Sequence, residues 1–136
     1  MPNNAIGNQT LGQNTMANSM PVAIASDQSV LLATPAATTP NTVASGTGDT
    51  AIVAATASLR LIGFACKEDA GSSAAAEFIL RHGDDAADPI LIPVKLAANE
   101  SRADWFGPDG IACASGIFLD RVTGTTQVTI FTKVQD

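Results

Sequence analysis

From Asp49 to the end of the chain, apolar and polar side chains alternate in short runs separated by turn residues, the pattern of an antiparallel all-β domain. Ser58–Cys66 is rich in Leu, Ile and Phe. Ala74–His82 places Phe78 and Leu80 on one face and Glu77, Ile79 and Arg81 on the other, the period of two that a half-buried strand requires. Ile90–Ala98 alternates again, with Ile90, Ile92, Val94 and Leu96 on one side. Pro93 falls on the other side and, having no N–H to give to a ladder, predicts an edge strand or a bulge. Ile111–Val122 and Gln127–Val134 complete the series, the last with Val128, Ile130 and Val134 facing inward.

Turn chemistry separates these runs. Segments 68–72, 83–89, 107–110 and 123–125 concentrate Gly, Pro, Asp and Thr where a preset or positive φ is needed. The Ala-rich stretch 73–77 is too short to hold a helix. Seven or eight strands in the 88 residues from Asp49 onward predict two antiparallel sheets packed face to face, a β-sandwich in jelly-roll or related Greek-key order.

The first 48 residues read differently. They contain one charged side chain, Asp27, whereas residues 49–136 hold the other twelve acids and all seven bases. They also carry four of the seven prolines, and no helical period organises their apolar residues. Solvated tails combine high charge with low hydrophobicity. This segment instead is nearly neutral and contains two apolar runs, Met20, Pro21, Val22, Ala23, Ile24 and then Val30, Leu31, Leu32. The expectation is an extended N-terminal arm over residues 1–48 that docks on a neighbouring protein through Met20, Pro21, Val22, Ile24, Val30, Leu31 and Leu32, ahead of a sandwich over 49–136.

Composition narrows the function classes. A formal charge of −6 and a pI near 4.4 argue against a nucleic-acid binder, because a polyphosphate surface would repel the chain. The Asn- and Gln-rich start does not match a secretory signal, and the longest apolar stretch falls well short of the roughly 18 residues a membrane helix needs. Cys66 and Cys113 lack CxxC spacing, so free thiols are favoured over a bridge. With one His, no Tyr and no nucleophile motif, the chain predicts no enzyme, no cofactor and no metal.

Three groups remain as candidates beside their plainer readings. His82 with Asp84, Asp85 and Asp88 offers carboxylate oxygens to a calcium ion, but the spacing matches no calcium loop, and a solvated acidic turn is the simpler account. Trp105–Phe106 reads either as core packing at a strand end or as an anchor for a carbohydrate or partner surface. The sequons at Asn8 and Asn99 have no route to glycosylation without a signal peptide.

The run Ala17-Asn-Ser-Met-Pro-Val-Ala-Ile-Ala-Ser-Asp-Gln-Ser29 resembles a segment near the start of small virion proteins of tailed bacteriophages. Leu61–Phe64, Pro93–Ser101, Trp105–Ile111 and Gly116–Leu119 are similar to β-sandwich modules of phage capsid-decoration and tail proteins. The resemblance implies a non-enzymatic capsid decoration, or cement, protein on the outer surface of the virion, made in the bacterial cytoplasm. It implies a homo-oligomer, with a trimer favoured, whose arms clamp the major capsid protein. The alternative it leaves open is a tail or baseplate adaptor, or a receptor-binding component, whose sandwich loops around Trp105 and the acidic turn bind glycan.

Overall fold

The computed structural model describes residues 36–72 and 74–135. Nine strands form among them: β1 (Thr39–Gly46), β2 (Thr50–Val53), β3 (Leu59–Glu68), β4 (Ala76–Arg81), β5 (Ile90–Leu96), β6 (Ser101–Trp105), β7 (Ile111–Ala112), β8 (Ile117–Thr123) and β9 (Thr126–Val134). No helix occurs among the described residues. The chain divides into Met1–Pro35 and Ala36–Asp136, and every described residue belongs to the second unit.

All the strands pair antiparallel in two sheets. One has the order β1-β9-β3-β6, with β7 continuing the β6 edge of β3, and the other has the order β2-β8-β4-β5. The ladders β1–β9, β2–β8, β3–β6 and β4–β5 are the rungs of one long hairpin rolled over itself, with the loop 82–89 at its tip. That winding is the jelly roll, so the all-β sandwich expected from the alternating pattern is the fold of the described residues.

The core explains why the roll closes. Leu61, Phe64, Cys66, Val128 and Ile130 from the five-stranded sheet face Phe78, Leu80, Val94, Ile117 and Leu119 from the four-stranded sheet. Phe64 and Phe78 meet edge to face across the gap, with centroids 6.4 Å apart, in the geometry aromatic quadrupoles favour. Phe106 adds a tilted contact to Phe64 at 6.1 Å. Cys66 and Cys113 are buried free thiols.

Several expectations need correction. The charge boundary at Asp49 is not the fold boundary: β1, read from its lack of charge as arm, pairs with β9 from Thr39↔Thr132 to Gly46↔Thr126 and contributes Val43 to the core. A strand on a sheet edge needs one inward side rather than charge: Val43 packs against the core, and the half-buried Asn41 donates to the Thr132 hydroxyl at 3.3 Å. Ile90 is 55% exposed rather than inward-facing. The register of β4 with β5 slips between Leu80 and Arg81, which turns Ile90 outward and brings Leu91 against the core. Val134 is likewise 42% exposed, and Thr132 is the last inward residue of β9. The run Ile111–Val122 is interrupted by the turn at Ala114–Ser115 and forms two strands, β7 and β8. Ser101–Trp105, whose polar composition hid it, is a strand because β3 offers it a ladder from Lys67↔Ser101 to Gly63↔Trp105. Pro93 does lie on an edge strand, as its missing donor demands.

Candidate functional site

The seven residues expected to contact a partner, Met20, Pro21, Val22, Ile24, Val30, Leu31 and Leu32, lie outside the described residues. The sandwich itself presents two faces and a tip that bear on function.

The tip holds the acidic turn. Asp84, Asp85 and Asp88 bring their carboxylates together, but those of Asp85 and Asp88 are engaged in building the turn. Asp88 Oδ2 accepts the backbone N–H groups of Asp84 at 2.7 Å and Asp85 at 3.0 Å, and Asp85 Oδ1 accepts that of Ala87 at 2.6 Å. Asp88 also fills the space beside Gly83, where a Cβ would meet its carboxylate, which is why the turn starts with glycine. His82 Nε2 accepts the Ser115 N–H at 3.2 Å and so joins this turn to the β7–β8 connection. These are capping roles, the ones Asp and His commonly take in tight loops.

Other polar groups in the body are tied up in the same way. The Glu68 carboxylate is buried and accepts the N–H groups of Ala70 at 2.7 Å and Asn99 at 2.9 Å. The Arg121 guanidinium donates to the carbonyls of Gly48 at 2.6 Å, Ala44 at 2.9 Å and Thr126 at 2.8 Å, and to the Thr126 hydroxyl at 3.1 Å. Burial pulls its pKa down, and the nearby Asp49 partly restores it. Burial also pushes the Cys66 and Cys113 thiols up to about 11, so neither is a thiolate nucleophile near neutral pH.

The outer face of the five-stranded sheet is different. Register places its outward side chains in three cross-strand rows. Lys67 lies between Ser101 and Gln127, Ala65 lies between Ala103 and Thr129, and Gly63 lies between Trp105 and Phe131. Across β1, Thr42 continues the middle row and Pro40 the aromatic one. The Thr42 and Thr129 hydroxyls are bonded at 2.9 Å. Small residues in the middle and longer ones at the two ends hollow the face, and a depression of about 240 Å³ lies over Ala65, Cys66, Lys67, Ser101, Gln127 and Thr129.

Trp105 stands one cross-strand row away from this depression, opposite Gly63, and is 63% exposed. A Cβ on Gly63 would stand 3.2 Å from the indole Cε3, so the ring leans onto bare backbone instead of projecting into water. The pair Trp105–Phe106 therefore divides: Phe106 packs against the core, and Trp105 is a surface aromatic. Sequence reasoning missed the face because Ser101–Trp105 shows no alternation. The recurring small residues Gly63, Ala65 and Ala103 were the available signal. Trp105 and the acidic turn, grouped as one candidate surface, stand on different sheets.

No protein-family model, curated protein or solved structure matches the chain.

Proposed function

We propose that the chain is a non-enzymatic structural protein of a tailed-phage virion, a capsid decoration protein whose jelly-roll body carries an N-terminal arm that binds the major capsid protein. The observation that carries this reading is the division of labour along the chain. The polar groups described above are spent on capping and cross-strand ties within a compact body, while the segment bearing Met20–Ile24 and Val30–Leu32, with Asp27 its single charge, precedes an edge strand. The phage-like run Ala17–Ser29 lies in that same segment.

A homo-oligomer is supported by the outer face of the four-stranded sheet. Ile79, Ile90, Pro93 and Phe118 occupy its cross-strand rows around the Arg81–Asp120 ion pair, which is closed at 2.7 Å. Apolar side chains set between this ion pair and the neighbouring Lys95–Glu77 pair suit a contact between copies that joins apolar and charged groups. Outward placement on the shell suits the acidic charge, since packaged DNA would repel it.

The test is removal of residues 1–35, which leaves β1 in place, followed by measurement of binding to purified shells and of shell heat resistance. Loss of occupancy is the expected result, and full occupancy by the shortened chain would end the reading. A second reading, a tail component that touches the host surface, is favoured by the exposed Trp105. Copy number separates the two, with hundreds per virion for a shell protein and a dozen or fewer for a tail protein.

A further inference from the structure

The hollowed face of the five-stranded sheet offers a specific ligand site, which the shell reading does not require and which deepens the host-facing reading on which it rests. We propose that it binds a neutral glycan, with the apolar C–H face of one pyranose ring on Trp105 and the hydroxyls of a neighbouring ring in the depression, bonded to Gln127, Thr129 and Ser101.

Shape and chemistry both point to this ligand. Trp105 and Phe131 flank Gly63 in one row, two strand spacings or about 10 Å apart. That row gives an aromatic floor long enough for a di- or trisaccharide. Pyranose rings stack on aromatic faces through their axial C–H groups and present hydroxyls at their rims, which need an amide or hydroxyl partner when water leaves. One row further on, Thr129 supplies a hydroxyl, and the row beyond that supplies the Gln127 amide and the Ser101 hydroxyl. A depression of about 240 Å³ suits a single sugar ring, below the range typical of drug-sized ligands.

Charge selects a neutral ligand. Lys67 is the cation at the depression, and Asp69 neutralises it at 3.2 Å. The Ser45 hydroxyl and then Lys67 hold the Asp69 carboxyl below its ordinary range. A uronate or sialate would have to break that pair, whereas an uncharged sugar leaves it intact.

Other occupants fit less well. A peptide strand cannot add here, because β3 and β9 are central and have ladders on both sides. Nucleic acid meets the charge of −6. The binding groups stand on paired strands, so the geometry is set before the ligand arrives.

Trp105 is the single tryptophan of the chain, so its fluorescence reports directly on this face. The full-length protein is titrated with cellopentaose, maltopentaose and chitopentaose as neutral probes, and with an oligogalacturonate as the anionic one. At least one neutral probe is expected to give a saturable emission change with a Kd of about 1 mM or tighter, and to shift the NMR amide signals of Ala65, Ser101 and Thr129. Ala103→Arg, which lays a long side chain across an exposed position, and Gln127→Ala should each weaken binding at least about tenfold, or roughly 1.4 kcal/mol, with the melting temperature unchanged. The proposal is overturned if none of the three neutral probes gives a saturable change, if the oligogalacturonate binds as well, or if Ala103→Arg leaves affinity intact. A change in sedimentation on Ala103→Arg without any glycan response would assign the face to a second copy instead. None of these results depends on shell binding, so the arm hypothesis stands or falls separately.

Discussion

Trp105 lies across from Gly63 on adjacent antiparallel strands, and the indole occupies the space that a side chain at position 63 would need. A Cβ there would come within 2.6 Å of the Asp104 carbonyl oxygen as well as 3.2 Å of the ring. An aromatic residue covering a cross-strand glycine supplies the packing that the glycine lacks. The same pairing sets the indole beside the Gly63 backbone while Trp105 stays 63% exposed and available to a ligand.

Gly63→Ala should therefore destabilise the fold, because the obstacle includes backbone that cannot swing aside. The expected loss is about 1–3 kcal/mol, read as a lower urea midpoint with an unchanged slope. A midpoint equal to that of the parent would show that the strands separate at little cost.

The contact between the two sheets gives a larger effect. Phe78 is fully buried and meets Phe64 edge to face. Phe78→Ala should cost about 3–5 kcal/mol through lost burial and the cavity left behind. Equilibrium denaturation followed by Trp105 fluorescence measures it, and a loss below about 1 kcal/mol would mean that the core collapses into the gap.

Arg121 ties β1 and the β1–β2 connection to the first residue of β9 through three carbonyls and one hydroxyl. Arg121→Ala should lower stability by about 2–3 kcal/mol, since those carbonyls lose charge-assisted donors. Arg121→Lys should recover only part of this, because an ammonium lacks the planar fork. Thermal unfolding of the two variants decides the matter, and full recovery by lysine would reduce the role of Arg121 to that of a point charge.

The thiols predict a loss of stability in alkali. Cys66 and Cys113 have folded-state pKa values of about 11 against an ordinary 9.0, because burial disfavours the thiolate. Above pH 9.0 the unfolded chain releases these protons first, so it binds fewer protons than the folded one and stability falls. The contribution is complete below pH 9.0 and is lost as pH rises toward about 11. Replacing both cysteines by alanine should flatten that part of the stability–pH curve. At pH 8 the native thiols should react with a disulfide reagent far more slowly than those of the unfolded chain, and equal rates would contradict the assigned burial.

Truncation tests where the body begins. A chain starting at Ala36 keeps β1, whereas one starting at Asp49 loses the strand that pairs with β9 and covers the core with Val43. The second should unfold at a lower denaturant concentration than the first. Equal midpoints would mean that β1 contributes nothing to the sheet it borders.

Much of the jelly roll was legible along the chain because a half-buried strand writes its period directly into the sequence. Phe78 and Leu80 against Glu77 and Arg81, or Val128 and Ile130 against Gln127 and Thr129, declare their faces by polarity alone. Pro93 marked an edge because its backbone has no hydrogen to donate. Polarity could not reveal β6, whose Ser-Arg-Ala-Asp-Trp sequence becomes a strand only because β3 presents a free ladder beside it. Nor could it place β1, which lacks charge yet belongs to the sheet, or Ile90, which one slip of register sends outward. The hollow face depends on Gly63, Ala65 and Ala103 meeting Trp105, Phe131 and Gln127 across strands far apart in sequence. A strand's own residues fix which of its sides is apolar, but which residues stand next to one another is set by register and strand order, and those exist only once the chain has rolled up.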